Sequence, residues 1–160
     1  LTQELKGAIQ AAYANGTITD AEMDSVVNGF VNKVVLPTYK DLKEKNTALC
    51  AAVRDFYNNP SDATFETACD AWLVARTPWE QSEAFLFGPV DILGLDPNMD
   101  SWPLDQVAIV NILESGNFDD LNWEDGDTEE EITASQEVRG FHTLEFLLFK
   151  DGNPRTVAAQ

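Results

Sequence analysis

Apolar side chains recur along this chain at the three-and-four spacing of helices, and alternating strand patterns are scarce, so the sequence predicts an all-α fold, an up-and-down helical bundle. A first helix is expected over Leu5 to Tyr13, with Asn15-Gly16 as its left-handed stop. Thr19 and Glu22 stand at capping-box spacing and open a second helix, in which Val26, Val27, Phe30, Val34 and Val35 share a face. Pro37 is expected to kink or end it. Tyr39, Leu42, Leu49, Val53 and Phe56 carry helix onward to a turn at Asn58-Asn59-Pro60. Ser61 then caps a helix with a stripe of Phe65, Ala68, Cys69, Trp72 and Leu73, expected to run, bent at Pro78, as far as Gly88-Pro89.

The remainder is more broken. Asp91 to Asp100 reads as a polar, turn-rich stretch, followed by Trp102-Pro103 and a helix from Leu104 to Glu114 closed by Gly116. Asp119 to Glu131 reads as an acidic, solvated connector without the spacing of an EF-hand loop. A last helical region is expected over Glu129 to Phe149, stopped by Asp151-Gly152-Asn153-Pro154. No repeat at a solenoid period interrupts this order, and residues 1–160 are read as a single domain.

Composition narrows the function. Of the 160 residues 44% are hydrophobic, enough for a real core, while 10 basic residues against 28 acidic ones leave a net charge of −18. That field repels nucleic-acid phosphate and anionic membranes, so nucleic-acid binding is excluded. No apolar run approaches the roughly 20 residues of a spanning helix. The first residue is Leu1, and loss of an upstream segment such as a secretory signal is expected. In a hairpin turning near Asn59, Cys50 and Cys69 lie nearly opposite each other, so a disulfide worth about 3 kcal/mol and an oxidising compartment are expected. Two packed free thiols are the alternative.

Chemistry concentrates in two places. In Gly140-Phe141-His142-Thr143-Leu144-Glu145-Phe146-Leu147-Leu148-Phe149 nearly the whole helical circumference is apolar, the signature of a helix held inside a protein. His142 and Glu145, three apart, share a face there, and a carboxylate in such surroundings needs a proton, donors or a cation. A bound metal and a satisfied polar pair both meet that need. The second place is the face beginning at Phe65, which continues through Arg76, Trp79, Glu80 and Glu83 before Leu86 and Phe87. Arg76 and Glu80 have the spacing of an ion pair; Glu83 lacks a local partner, and either glutamate is a further candidate ligand. Trp72, Trp79 and Trp102 read as core or lobe-interface anchors, or as a pocket wall.

His142 is the sole histidine, so a two-histidine zinc peptidase helix cannot be built. A site made here is oxygen-rich with at most one nitrogen, which favours iron or manganese over structural zinc. Neither a phosphate-binding Gly-rich loop nor a Gly-x-Ser-x-Gly elbow occurs.

Gly140-x-His142-x-x-Glu145 resembles the signature motif of the imelysin-like family, the M75 peptidases and iron-regulated cell-envelope proteins. The resemblance extends upstream through Val35-Leu36-Pro37-Thr38-Tyr39, Ala71-Trp72, Arg76-Thr77-Pro78-Trp79-Glu80-Gln81-Ser82-Glu83, Ala84-Phe85-Leu86-Phe87-Gly88-Pro89 and Trp102-Pro103-Leu104. It implies one lobe of a two-lobed helical protein, completed by a second lobe or chain and exported to the periplasm or held at the cell surface as a lipoprotein. The implied role is iron uptake, alongside other envelope components. His142 and Glu145 would ligate a metal, iron first, with zinc, manganese or calcium as alternatives. Glu80 or Glu83 would lie close by, supported at a cleft by Arg76, Trp79, Trp72 and Tyr39. A metallopeptidase and a metal-free peptide- or polymer-binding module are the competing functions.

Overall fold

The computed structural model describes residues 3–122 and 124–157. The helices are α1 (Gln3–Ala14), α2 (Asp20–Phe30), α3 (Leu36–Asn58), α4 (Asp62–Ser82), α5 (Pro89–Ile92), α6 (Leu95–Asp100), α7 (Gln106–Ser115), α8 (Glu129–Gln136) and α9 (Phe141–Leu148). A small antiparallel hairpin, β1 (Phe149–Lys150) and β2 (Asn153–Pro154), is the sole sheet among the described residues. The fold is all-α, as the periodicity predicts.

Local chemistry explains most boundaries. Thr19 caps α2 and Ser61 caps α4, each with a reciprocal bond from the residue three further on, and Thr128 with Glu131 does the same for α8. Gly16 and Gly116 take positive φ at the ends of α1 and α7. Pro37 does not end the chain's second helical stretch. Val31–Val35 widens into a π-turn, in which the Leu36 N–H reaches the Val31 carbonyl, and α3 continues from there with Pro37 in its first turn. Pro78 likewise lies inside α4, fully buried, and the helix runs on to Ser82.

Two stretches differ from expectation. Asp91 to Asp100 carries α5 and α6, because its breakers fall at helix boundaries: Gly88 and Gly94 precede the helices and Pro89 occupies a first-turn position. The expected helix from Glu129 to Phe149 is two helices, α8 and α9, parted at Gly140 with φ 93° and ψ −164°. A β-carbon there would lie 2.5 Å from the Met99 carbonyl oxygen, so only glycine lets α9 begin against the end of α6.

The main core joins α3, α4 and α9 through Leu42, Leu49, Phe65, Ala68, Trp72 and Phe141, and Ile109 and Ile112 of α7 form a second cluster with Val138, which lies between α8 and α9. Cys69 belongs to the first, its thiol directed at the Leu148 carbonyl 3.9 Å away. Cys50 is exposed and both thiols are free, so the expected disulfide is absent. The hairpin does turn at Asn59, but Leu49 takes the inward position of α3 and its neighbour Cys50 points to solvent. Val26, Val27, Phe30, Val31, Val34 and Leu36 are exposed, and α2 buries no residue. This apolar stripe is exposed in the described residues and is not a core face there.

Candidate functional site

Asp100, the last residue of α6, is the hub of the site. Its side chain is 6% exposed. One oxygen, Oδ2, accepts a hydrogen bond from Trp79 Nε1 at 2.7 Å. The other, Oδ1, accepts from Arg76 Nη1 and stands 3.3 Å from His142 Nε2. Arg76 also reaches Glu80, Nε to Oε1 at 2.5 Å, which realises the i,i+4 pair read from the sequence. Burial pulls the Arg76 guanidinium toward a lower pKa, but the hydrogen bond and charge of Asp100, then Glu80, outweigh it and hold the group above its ordinary value. Its charge also lies over the Phe141 ring, 5.4 Å from the centroid.

The aromatic residues set these groups in place. Trp79 is 1% exposed and stacks on Phe141 at 6.3 Å, while Trp72 donates Nε1–H to the Phe141 carbonyl at 3.1 Å. Together they bind α4 to the start of α9, one residue before His142. Tyr39 lies edge-on to Phe85 at 5.6 Å, behind the buried Ser82, and burial raises its pKa against a smaller opposing effect of the Ser82 hydroxyl. It stands beside the Glu83 turn rather than at His142.

His142 has an acid on each side. Nδ1 lies 3.3 Å from Glu145 Oε2, one turn along α9, and Nε2 faces Asp100. An ionised carboxylate only accepts hydrogen bonds, and a neutral imidazole donates from one nitrogen. Both contacts are favourable together only when a second proton, or another cation, lies between the ring and one of the acids. The Trp102 indole packs against the imidazole at 4.9 Å between centroids, the planes tilted by 58°. The helix is less enclosed than its sequence suggests: the His142 side chain is 21% exposed and that of Glu145 50%.

Glu80, Glu83 and Asp100 bring one carboxylate oxygen each within 4.8 Å of the others, the convergence a cation needs. His142 adjoins this trio through Asp100, and Glu145 lies beyond the imidazole. Four carboxylates thus surround one guanidinium and one imidazole, a surplus of negative charge. Asp100 is the residue the sequence reading missed. It sits in a stretch read as turn, and its partners on α4 and α9 are remote in sequence, so no local spacing signals it.

His142 and Glu145 also open onto a cleft of about 650 Å³, whose walls include Trp72, Trp102, Phe146 and Phe149.

A sequence model of the imelysin family, peptidase M75, matches residues 35–159. Iron-regulated protein A of Synechococcus elongatus is 35% identical over 155 residues, spanning 92% of this chain and 35% of that protein. The crystal structure of an imelysin peptidase from Bacteroides ovatus superposes with a TM-score of 0.91 at 60% identity, covering 98% of this chain and 44% of that one. A candidate iron-regulated protein A precursor from Parabacteroides distasonis gives 0.79 at 48% identity over 86% of this chain and 37% of its own. The chain therefore spans less than half the length of these relatives. With the family match over most of its length and the helices superposing on a relative of this identity, the chain belongs to the imelysin family, peptidase M75.

Proposed function

We propose that this chain is part of an exported iron-uptake protein of the cell envelope, and that it captures a cation where Glu80, Glu83 and Asp100 converge beside His142. The observation that carries this reading is the convergence itself: three carboxylate oxygens within 4.8 Å of one another, with an imidazole nitrogen 3.3 Å from the most buried acid. An oxygen-rich set with one nitrogen suits iron or manganese. Glu145 at Nδ1 fits the partner that orients a ligating histidine, and it is the alternate ligand should the ion sit on the cleft side of the ring. Arg76 is the internal counter-charge of the trio, bonded to both Asp100 and Glu80. A bound cation would supply positive charge and Lewis acidity at this point.

Relatives named for iron regulation, one of them a precursor, support an iron-linked exported role. A periplasmic or lipoprotein-anchored location belongs to the same proposal. The exposed apolar stripe along α2 and the greater length of the relatives support a second lobe or chain that completes the fold. A relative named as a peptidase, and the half-exposed Glu145 at the cleft, favour a second reading in which Glu145 acts as base in a metallopeptidase.

Anaerobic isothermal titration with Fe²⁺, Mn²⁺, Zn²⁺ and Ca²⁺ tests the first reading. Glu83→Gln leaves the Arg76 pairs intact and is expected to weaken binding at least about tenfold, as is His142→Ala. Absence of saturable binding to the wild type, or unchanged affinity in both variants, would overturn it. Chelator-sensitive cleavage of an unfolded protein substrate would establish the peptidase reading, and its absence would remove it.

A further inference from the structure

We infer that the cleft beside His142 binds a basic peptide segment, taking a lysine or arginine side chain between aromatic walls and acidic rims. This goes beyond the cation site on the Asp100 side of the imidazole, and the two can fail separately. Trp72, Trp102, Phe146 and Phe149 line the cleft, whose volume is about 650 Å³, large enough for several residues of an extended chain. Trp102 is 72% exposed, an indole held at the cleft against the His142 ring with most of its surface open to a ligand. Asp70, Glu145 and Asp151 supply carboxylates to the same cleft, and no lysine or arginine lines it among the described residues.

Aromatic faces and carboxylates attract an ammonium or guanidinium group, because the ring quadrupole and the acids act in the same direction. One wall already holds such a group. Arg155 places its guanidinium over the Phe146 ring, 5.8 Å from the centroid, and donates to the Phe146 carbonyl at 3.0 Å. The chain's own arginine thus shows which chemistry the wall accepts. The long alkyl stem of lysine or arginine suits the apolar walls, leaving the charge for the rims. A peptide, more than a free amine, matches a cleft of about 650 Å³ whose lining combines polar and apolar groups.

Isothermal titration in the presence of EDTA, with a blocked hexapeptide containing two lysines, tests this without involving the metal. Saturable binding is expected, weakened at least about tenfold when glutamines replace the lysines. Asp70→Asn combined with Asp151→Asn is expected to weaken it similarly, and Trp102→Ala several-fold. Asp24→Asn combined with Glu4→Gln makes the same charge change on α1 and α2 and is expected to leave affinity unchanged. Equal affinity for the two peptides overturns the proposal. So does equal weakening by the remote pair, which would assign the effect to the net charge of −18. Binding of spermine as tight as that of the peptide overturns the assignment to a peptide.

Discussion

His142 Nε2 lies 3.3 Å from Asp100 Oδ1, and this contact joins the first turn of α9 to the last residue of α6. Asp100 accepts from Trp79 and Arg76 as well, so three separate segments meet on one nearly buried carboxylate. Removal of its charge therefore acts on both stability and site geometry.

Asp100→Asn is expected to destabilise the chain by about 3 kcal/mol, because Arg76 is left without its buried counter-charge and the new amide meets the Trp79 and Arg76 donors with only one acceptor oxygen. Urea unfolding followed by tryptophan fluorescence measures this. A loss below about 1 kcal/mol would show that Glu80 alone compensates Arg76.

Gly140→Ala is expected to cost more than about 2 kcal/mol, since the backbone stands at φ 93° and the added carbon meets the Met99 carbonyl at 2.5 Å. Relief of that clash moves α9 away from α6. The same variant is thus expected to reduce cation affinity without altering a single candidate ligand.

The two cysteines are expected to differ in reactivity. Burial, then the neighbouring charge of Asp70, raises the pKa of Cys69, whereas Cys50 is exposed. Mass spectrometry after brief native treatment with a maleimide should find modification at Cys50 and none at Cys69. Unfolding in denaturant should expose both.

Acid is expected to loosen the helix starts. Glu22 and Glu131 are held below the ordinary value of 4.5 by the backbone N–H of Thr19 and Thr128, then by their hydroxyls. A carboxylate whose folded pKa is lowered contributes stability that is present above its unfolded value and lost as pH falls through the folded one. The thermal midpoint should therefore fall below about pH 4.5, with a shallower slope in Glu22→Gln combined with Glu131→Gln.

The capping boxes at Thr19, Ser61 and Thr128, the glycine stops at Gly16 and Gly116, and the inward stripe through Phe65, Cys69 and Trp72 follow from interactions within a few residues of one another. Helical spacing alone brings Arg76 to Glu80 and His142 to Glu145. These the sequence determined by itself. Three matters were decided only in three dimensions: that Gly140 divides the single helix expected over Glu129 to Phe149 into α8 and α9, that Cys50 faces away from Cys69, and that Asp100 receives Trp79, Arg76 and His142. Each depends on how one helix rotates and docks against another, and the energy that settles this is side-chain packing between residues far apart in the chain. Local periodicity states which face of a helix turns inward, but not what it meets there.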